Sequence, residues 1–480
     1  MLYRNFLAME AEELIRSHPI DGVVLMGGCD KTTPALLMGA FSVNLPCIFI
    51  PAGVSSNSSF RGEKVGTGTH TMKFWNERRA GRLADEEWEA LEGCMTRTPG
   101  ICNTAGTATT MTAIAEVLGF TLPGAQSIPA MDSHHPRMCS EVGERIVAMV
   151  FEDLKPRDIA KEASFHNAVK TVLAIGGSTN ACVHLPAMAG RVGVKLPLDV
   201  WERYNKDIPV LANIMPAGDA LMEDFFFAGG LRAMLSRISA HLDLNCLTVT
   251  GKTLGDNIAG AKVFDNNVIR PLDKPVAKQA IAVMRGNLAP RGAVMKPSAA
   301  SQHLLKHVGP AVVFENFADM MARIDLPDLK VTKDSVLVLK NVGPVGAPGM
   351  PEAGNLPIPK KLLAEGVRDM VRISDARMSG THYGTCVLHV CPEAAVGGAL
   401  ALVREGDMIS LDVAARSIAL QVSDDELAKR HVEWSKAKPA TMRYNRSYAA
   451  LYQQHVTQAD EGADFDFLQG DELLPEPTIF

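Results

Sequence analysis

Three short segments of the chain gather groups that bind or activate ligands. Cys29-Asp30-Lys31 sits in a glycine turn between a strand-like run (residues 23–26) and a helical stretch (35–41). Backbone N–H groups at a helix start favour anions. A thiol, a carboxylate and an amine on successive residues diverge, which suits two neighbouring metal centres; a buried cysteine beside an N-capping aspartate is the plainer alternative. Residues 100–108 place Cys102 in a loop of small residues, where the backbone can approach a cofactor closely. Two loop cysteines of this kind are compatible with thiolate ligation of an iron–sulfur cluster. No C-x-x-C is present, so a zinc ribbon and a local ferredoxin run are excluded. In Ser374-Asp375-Ala376-Arg377-Met378-Ser379-Gly380-Thr381, Ser379 is either an exposed nucleophile or base, or part of a polar turn. It is not a G-x-S-x-G elbow. Glu352, after a Gly/Pro-rich loop, is a cation ligand or a solvated acid. Gly176-Gly177-Ser178-Thr179-Asn180 is a candidate anion nest without the lysine of a P-loop. His134 and His135 are adjacent and point apart, which favours structural roles. Cys47 and Cys182 lie in apolar contexts and read as packing residues.

The elements that position these groups alternate. A helix is expected over 6–16, strands over 23–26, 46–50 and 172–175, and a helix after Asn180 through residue 189. Strand, glycine turn and helix in succession predict an α/β domain with a largely parallel sheet and ligands beyond the carboxyl ends of its strands. After about residue 275 short β-like runs take over (311–314, 335–339, 370–373, 386–390 and 408–413), split by Gly/Pro turns. They predict a β-rich, barrel-like second domain over 276–445. The polar, acidic segment from 446 to 480 reads as a tail on the surface or on a neighbouring subunit.

The whole chain, 480 residues with 47% hydrophobic and 21% charged, has ordinary globular composition. Its net charge of −6 offers no field for nucleic acid. No apolar run is long enough for a membrane span, and the opening residues, which lack an apolar stretch, are not expected to form a secretory signal. Nine scattered cysteines, an odd number, argue against a disulfide framework and for a reducing, cytoplasmic setting.

Taken together, the motifs resemble the dihydroxyacid dehydratase/phosphogluconate dehydratase family, which includes the sugar-acid (aldonate) dehydratases. Residues 29–39 are similar to its first signature and 373–380 to its second; 176–181 and Met222-Glu223-Asp224-Phe225 also fit. The resemblance implies an α/β domain plus a β-barrel-like domain, a [2Fe-2S] or [4Fe-4S] cluster, and Mg²⁺. It assigns Cys29 and Cys102 to the cluster, and Asp30, Glu352 and Lys31, which is carbamylated in several members, to Mg²⁺. It makes Ser379 the base. Ser178, Thr179, Asn180 and His382 are expected to bind substrate. It further implies a homodimer or homotetramer acting on a small sugar acid. The segment around His382 and Tyr383 resembles the aldonate enzymes, with hydrogen-bonding groups suited to a polyhydroxylated chain. The branched-chain biosynthetic dehydratase and a non-catalytic relic are the alternatives. No extra basic residues for a 6-phosphate are evident. The family supplies a third cluster cysteine and another acid from a region before its first signature, and only 28 residues precede Cys29. A fragment is therefore expected.

Overall fold

The computed structural model describes residues 1–437 and 444–474. The N-terminal half is mostly helical. Helix α1 (Leu2–Arg16) leads into β1 (Val23–Gly27), α2 (Thr32–Val43) and β2 (Cys47–Pro51). β1 and β2 pair in parallel, Val23 opposite Cys47 through Gly27 opposite Pro51, so this is one βαβ unit. A short antiparallel hairpin follows, β3 (Ser58–Phe60) and β4 (Glu63–Val65), then α3 (Thr69–Arg79), α4 (Asp85–Met95) and α5 (Thr107–Val117). The predicted parallel sheet thus holds two strands in this half. The expected strand at 172–175 is instead the last turn of the helix Glu162–Ile175. Its residues are buried on every side, and a short apolar run without alternation does not separate a buried helix end from a buried strand. Gly176 closes that helix, and the next one, Ala181–Gly190, starts after Asn180.

The second half is a closed eight-stranded barrel. Its strands are β5 (Ala282–Gly286), β6 (Ala289–Met295), β7 (Lys306–Phe314), β8 (Val336–Leu339), β9 (Arg372–Ser374), β10 (Cys386–Cys391), β11 (Met408–Asp412) and β12 (Ser417–Leu420). They close in the order β10-β6-β5-β12-β11-β7-β8-β9. The strand period of two decides what fills it. Ala311 and Val313 of β7 and Val336 and Val338 of β8 face the barrel core. Val312, Phe314, Leu337 and Leu339 alternate with them and pack outside, under Met320 and Ile324. β7, β8, β9 and β10 run parallel to their neighbours in that order, so the carboxyl ends of β8 and β9 lie side by side.

The segment after residue 446 is woven into the N-terminal half rather than lying on its surface. Tyr452, Ala463 and Phe465 are buried with Met1 and Val183. The side chain of Arg191, fully buried, donates to Asp464 at 2.7 and 3.1 Å, to Glu12 at 3.2 Å and to Ser42 at 3.1 Å. Arg4, also fully buried, donates to the carbonyls of Gly462 (2.9 Å) and Ala463 (2.8 Å). Among the described residues no helix is long and apolar enough to cross a membrane.

A buried charge stripped of its partner costs far more than the pair contributes. Asp464→Ala is therefore expected to lower stability by about 3–5 kcal/mol. Urea denaturation measures this, and a loss below about 1 kcal/mol, the scale of a surface pair, would contradict the assignment of Arg191 and Asp464 as a structural clamp.

Candidate active site

The carboxyl end of β1 meets those of β8 and β9 between the two halves of the molecule. On the N-terminal side three loops are laced together. The amide of Ala52 donates to Gly27 O (3.0 Å), that of Ile101 to Gly53 O (2.9 Å) and that of Ser55 to Ile101 O (2.9 Å). The turn after β1, the turn after β2 and the Cys102 loop are thereby neighbours. The closeness demands a glycine at 28, where a Cβ would fall 2.6 Å from the Ile101 side chain and 2.7 Å from that of Ala52.

On the barrel side two buried carboxyls shape the loops. Asp375 accepts from the amides of Val342 and Ala394, each at 2.9 Å, and Glu393 gathers those of Val345 (2.9 Å) and Gly346 (2.8 Å). Burial pushes their pKa values up, to about 6 for Asp375 and about 7 for Glu393. This bonding folds back the Gly/Pro loop that delivers Glu352.

At the centre Lys31 Nζ contacts Asp30 Oδ2 and lies 3.7 Å from Glu352 Oε1. The same Glu352 oxygen accepts from Arg377 Nη1 at 2.9 Å and Asn180 Nδ2 at 2.8 Å. Asn180 Nδ2 also reaches Thr107 Oγ1 (2.9 Å) and Met378 O (3.1 Å), and Thr107 Oγ1 lies 2.8 Å from Ser178 Oγ. Gly380 closes the seam, since a Cβ there would lie 2.5 Å from the Ser178 Cβ. Burial works against ionisation of Asp30, but the charge and hydrogen bond of Lys31 outweigh it and hold the carboxyl below its usual range. Burial, then the charge of Arg377, push the Lys31 ammonium down, while Asp30 and Glu352 oppose them.

Asp30, Lys31, Glu352 and Asn180 are thus in direct contact, and Ser178 joins them through Thr107. Ser379 follows Met378, and its hydroxyl lies 2.9 Å from that of Thr381. His382 Nδ1 is 3.2 Å from Asn355 Nδ2, and burial pushes the imidazole down to about 4, so it is neutral at pH 7. Thr179 is buried, and among the described residues its hydroxyl has no hydrogen-bond partner. Cys29 is exposed with its thiol 3.4 Å from Asp30 Oδ1. Cys102 sits on the adjoining loop. Burial raises both thiols, and the negative charge of Asp30 adds to the rise in each. His134 bonds Asp132 while His135 bonds Pro51 O at 2.9 Å; the pair diverges as expected. Cys47 and Cys182 are buried in the core.

The donor sets differ in what they can hold. Mg²⁺ takes oxygen ligands and retains waters, so one or two carboxylates suffice. Asp30 and Glu352 meet this requirement, and the ammonium between them already marks the place of a positive charge. An iron–sulfur cluster takes thiolates, commonly four. Cys29 and Cys102 provide two, and among the described residues no three His, Cys, Asp or Glu side chains are placed to hold one metal ion. These residues do not complete a cluster site.

Arg377, Thr107 and Asn355 were given no role from sequence. Arg377 lies inside the Ser374–Thr381 motif and Thr107 inside the small-residue loop, so both stood in segments already singled out. Asn355 is marked by nothing except closeness to Glu352.

Residues 1–257 match the family model described as dihydroxy-acid/6-phosphogluconate dehydratase N-terminal, and residues 267–463 the corresponding C-terminal one. The chain is 58% identical to the 6-deoxy-6-sulfo-D-gluconate dehydratase of Pseudomonas putida, over 100% of this chain and 83% of the relative. It is 51% identical to the L-arabinonate dehydratase of Rhizobium leguminosarum bv. trifolii, over 98% and 81%. It is 39% identical to the dihydroxy-acid dehydratase of Caldicellulosiruptor bescii, over 96% and 83%.

With two thiols placed for a cluster, the chain reconstituted anaerobically with iron and sulfide and then desalted is expected to retain well under about two irons and two sulfides. Full retention of both would reveal a further donor and overturn the two-thiol assignment.

Proposed function

The chain belongs to the dihydroxy-acid/6-phosphogluconate dehydratase family and is a hydro-lyase, and on that footing we propose that it dehydrates a 2,3-dihydroxy sugar acid, an aldonate, to a 2-keto-3-deoxy acid. The observation that carries this reading is the meeting of Lys31, Asp30, Glu352, Arg377 and Asn180, which presents cationic and amide groups to an anionic, hydroxylated molecule. Identity of 51–58% to relatives named for sugar acids, against 39% to a dihydroxy-acid dehydratase, supports an aldonate over a branched-chain acid. Asn355 and neutral His382 beside Glu352 support it too, because a branched-chain substrate calls for apolar contacts there. Nine cysteines without a disulfide fit a reducing, cytoplasmic setting.

In the reaction the C2 proton and the C3 hydroxyl leave as water, and the resulting enol tautomerises to the keto acid. Ser379 is the group we assign to the C2 proton. A serine hydroxyl is a weak base until a nearby positive charge stabilises its alkoxide. Lys31 and Arg377 are the cations of the site; both meet Glu352, which Asn180 ties to the carbonyl of Met378, the residue before Ser379. Mg²⁺, when held by Asp30 and Glu352, supplies a cation that binds the substrate carboxylate and stabilises enolate charge. The hydroxyl of Thr381 orients that of Ser379, and His382 holds a substrate hydroxyl.

The test is keto-acid release from arabinonate, xylonate, galactonate and gluconate under anaerobic conditions with Mg²⁺, iron and sulfide supplied. At least one aldonate is expected to turn over, 2,3-dihydroxyisovalerate to be a poorer substrate, and Ser379→Ala to lower kcat by about 10²–10⁴. Turnover of dihydroxyisovalerate in preference to every aldonate would reverse the substrate assignment. A Ser379→Ala enzyme of undiminished kcat would remove Ser379 from the proton transfer.

A further inference from the structure

A neutral imidazole meets a ligand as a donor or as an acceptor, according to which ring nitrogen holds its proton. His382 sits where that choice matters. Its backbone amide donates to Ser379 O at 3.1 Å, so the ring is carried beside the residue assigned to the C2 proton. It lines a cavity of about 610 Å³ together with Glu352 and Asn355. Its Nδ1 lies 3.2 Å from Asn355 Nδ2. Among the described residues Nε2 has no hydrogen-bond partner, and it is not sealed from solvent, so this edge of the ring is open to a ligand.

The contacts leading away from the ring place its proton. Arg372 Nη1 contacts Asn355 Oδ1 and donates to Leu356 O at 3.2 Å. A guanidinium only donates, so the Asn355 atom facing it is the carbonyl oxygen. The Cys386 thiol, 3.6 Å from the same oxygen, is a second donor to it. The amide nitrogen of Asn355 is therefore the atom turned toward His382, and it too only donates. Nδ1 must accept, which leaves the proton of the neutral ring on Nε2. Arg372 is itself held. It is buried and donates to Asp369 Oδ1 at 2.7 Å. Asp369 also accepts from the Thr385 hydroxyl at 2.8 Å and from the amides of Thr385 at 2.9 Å and Ser301 at 3.1 Å. Turning Arg372 out of this set would strand a buried carboxylate.

We propose, resting on the sugar-acid reading above, that Asn355 and Arg372 are positioning residues that lock His382 as an Nε2–H donor, and that this donor reads a substrate oxygen beyond C3. A hydroxyl that accepts from Nε2–H keeps its own proton for a second acceptor, and the Glu352 carboxylate lines the same cavity. An acid with methyl groups at that place leaves Nε2–H unpaired, which is how a site built for hydrogen bonds rejects an apolar analogue.

The tautomer is read first, by nitrogen-15 NMR of the whole chain labelled at histidine, with the His382→Gln spectrum identifying the His382 signals. In the unaltered chain Nδ1 is expected at the shift of a bare ring nitrogen and Nε2 at that of a protonated one. Asn355→Asp, which offers only acceptors in the same shape, is expected to bring a proton to Nδ1. The substrate is read by calorimetric binding of arabinonate, gluconate and 2,3-dihydroxyisovalerate in Mg²⁺-containing buffer, so no step depends on turnover. All three are carboxylates and feel the added charge of Asn355→Asp alike. The ratio of aldonate to dihydroxyisovalerate affinity is nevertheless expected to fall about tenfold in that variant, the scale of one lost hydrogen bond. A proton on Nδ1 in the unaltered chain overturns the proposal, as does an unchanged tautomer or an unchanged affinity ratio in Asn355→Asp; the sugar-acid reading survives each of these. Failure of the unaltered chain to bind either aldonate overturns the sugar-acid reading and this proposal with it.

Discussion

Charges taken out of water must be paired, and the site between the halves of this molecule is organised by that requirement. Lys31 enters from the N-terminal βαβ unit and Glu352 from a barrel loop. Both are partly buried, and Asp30 beside Lys31 and Arg377 beside Glu352 complete the pairing. The contact also fixes how the halves face each other: Asn180 binds Glu352 and Met378 through one amide, and Gly380 lets the two backbones approach at Ser178. The binding groups therefore exist as a constellation only when the two halves are docked.

A second tier of buried polar groups holds the loops that carry this constellation. Asp375 and Glu393 touch neither Lys31 nor Glu352, yet their carboxyls collect the amides of residues 342, 345, 346 and 394. Backbone N–H groups sequestered from water need acceptors, and a loop rich in glycine and proline has few of its own. The raised pKa values of these two acids reflect the same burial. They illustrate how a strand-end loop becomes a rigid platform without regular secondary structure.

Much of this was legible in the sequence. The 23–26 and 46–50 strands, the helix after Asn180 and five of the eight barrel strands stood out, because alternation and glycine turns report strand faces directly. The barrel strands Ala282–Gly286, Ala289–Met295 and Ser417–Leu420 did not. The first two contain glycine, arginine or proline, and the third is short. The 172–175 run misled because a helix buried all round shows no polar face. Asp30, Lys31 and Glu352 were identifiable by motif. Arg377 was visible without a role, since a side chain's partner is set by tertiary packing across 25 residues or more. The two-strand extent of the N-terminal sheet was likewise beyond reach, since strand pairing is a long-range property.

The Arg191 clamp has a consequence for how the chain is made. Arg191 leaves the ribosome 273 residues ahead of Asp464, the carboxylate that bonds it at two nitrogens. Throughout that interval the N-terminal half can collapse around its apolar core but cannot bury this guanidinium with its full complement of acceptors. The helical half is thus held short of its final packing until the barrel has been translated and the segment beyond it returns. A region that looks like a self-contained folding unit by its contacts is, in the order of synthesis, among the last to be completed.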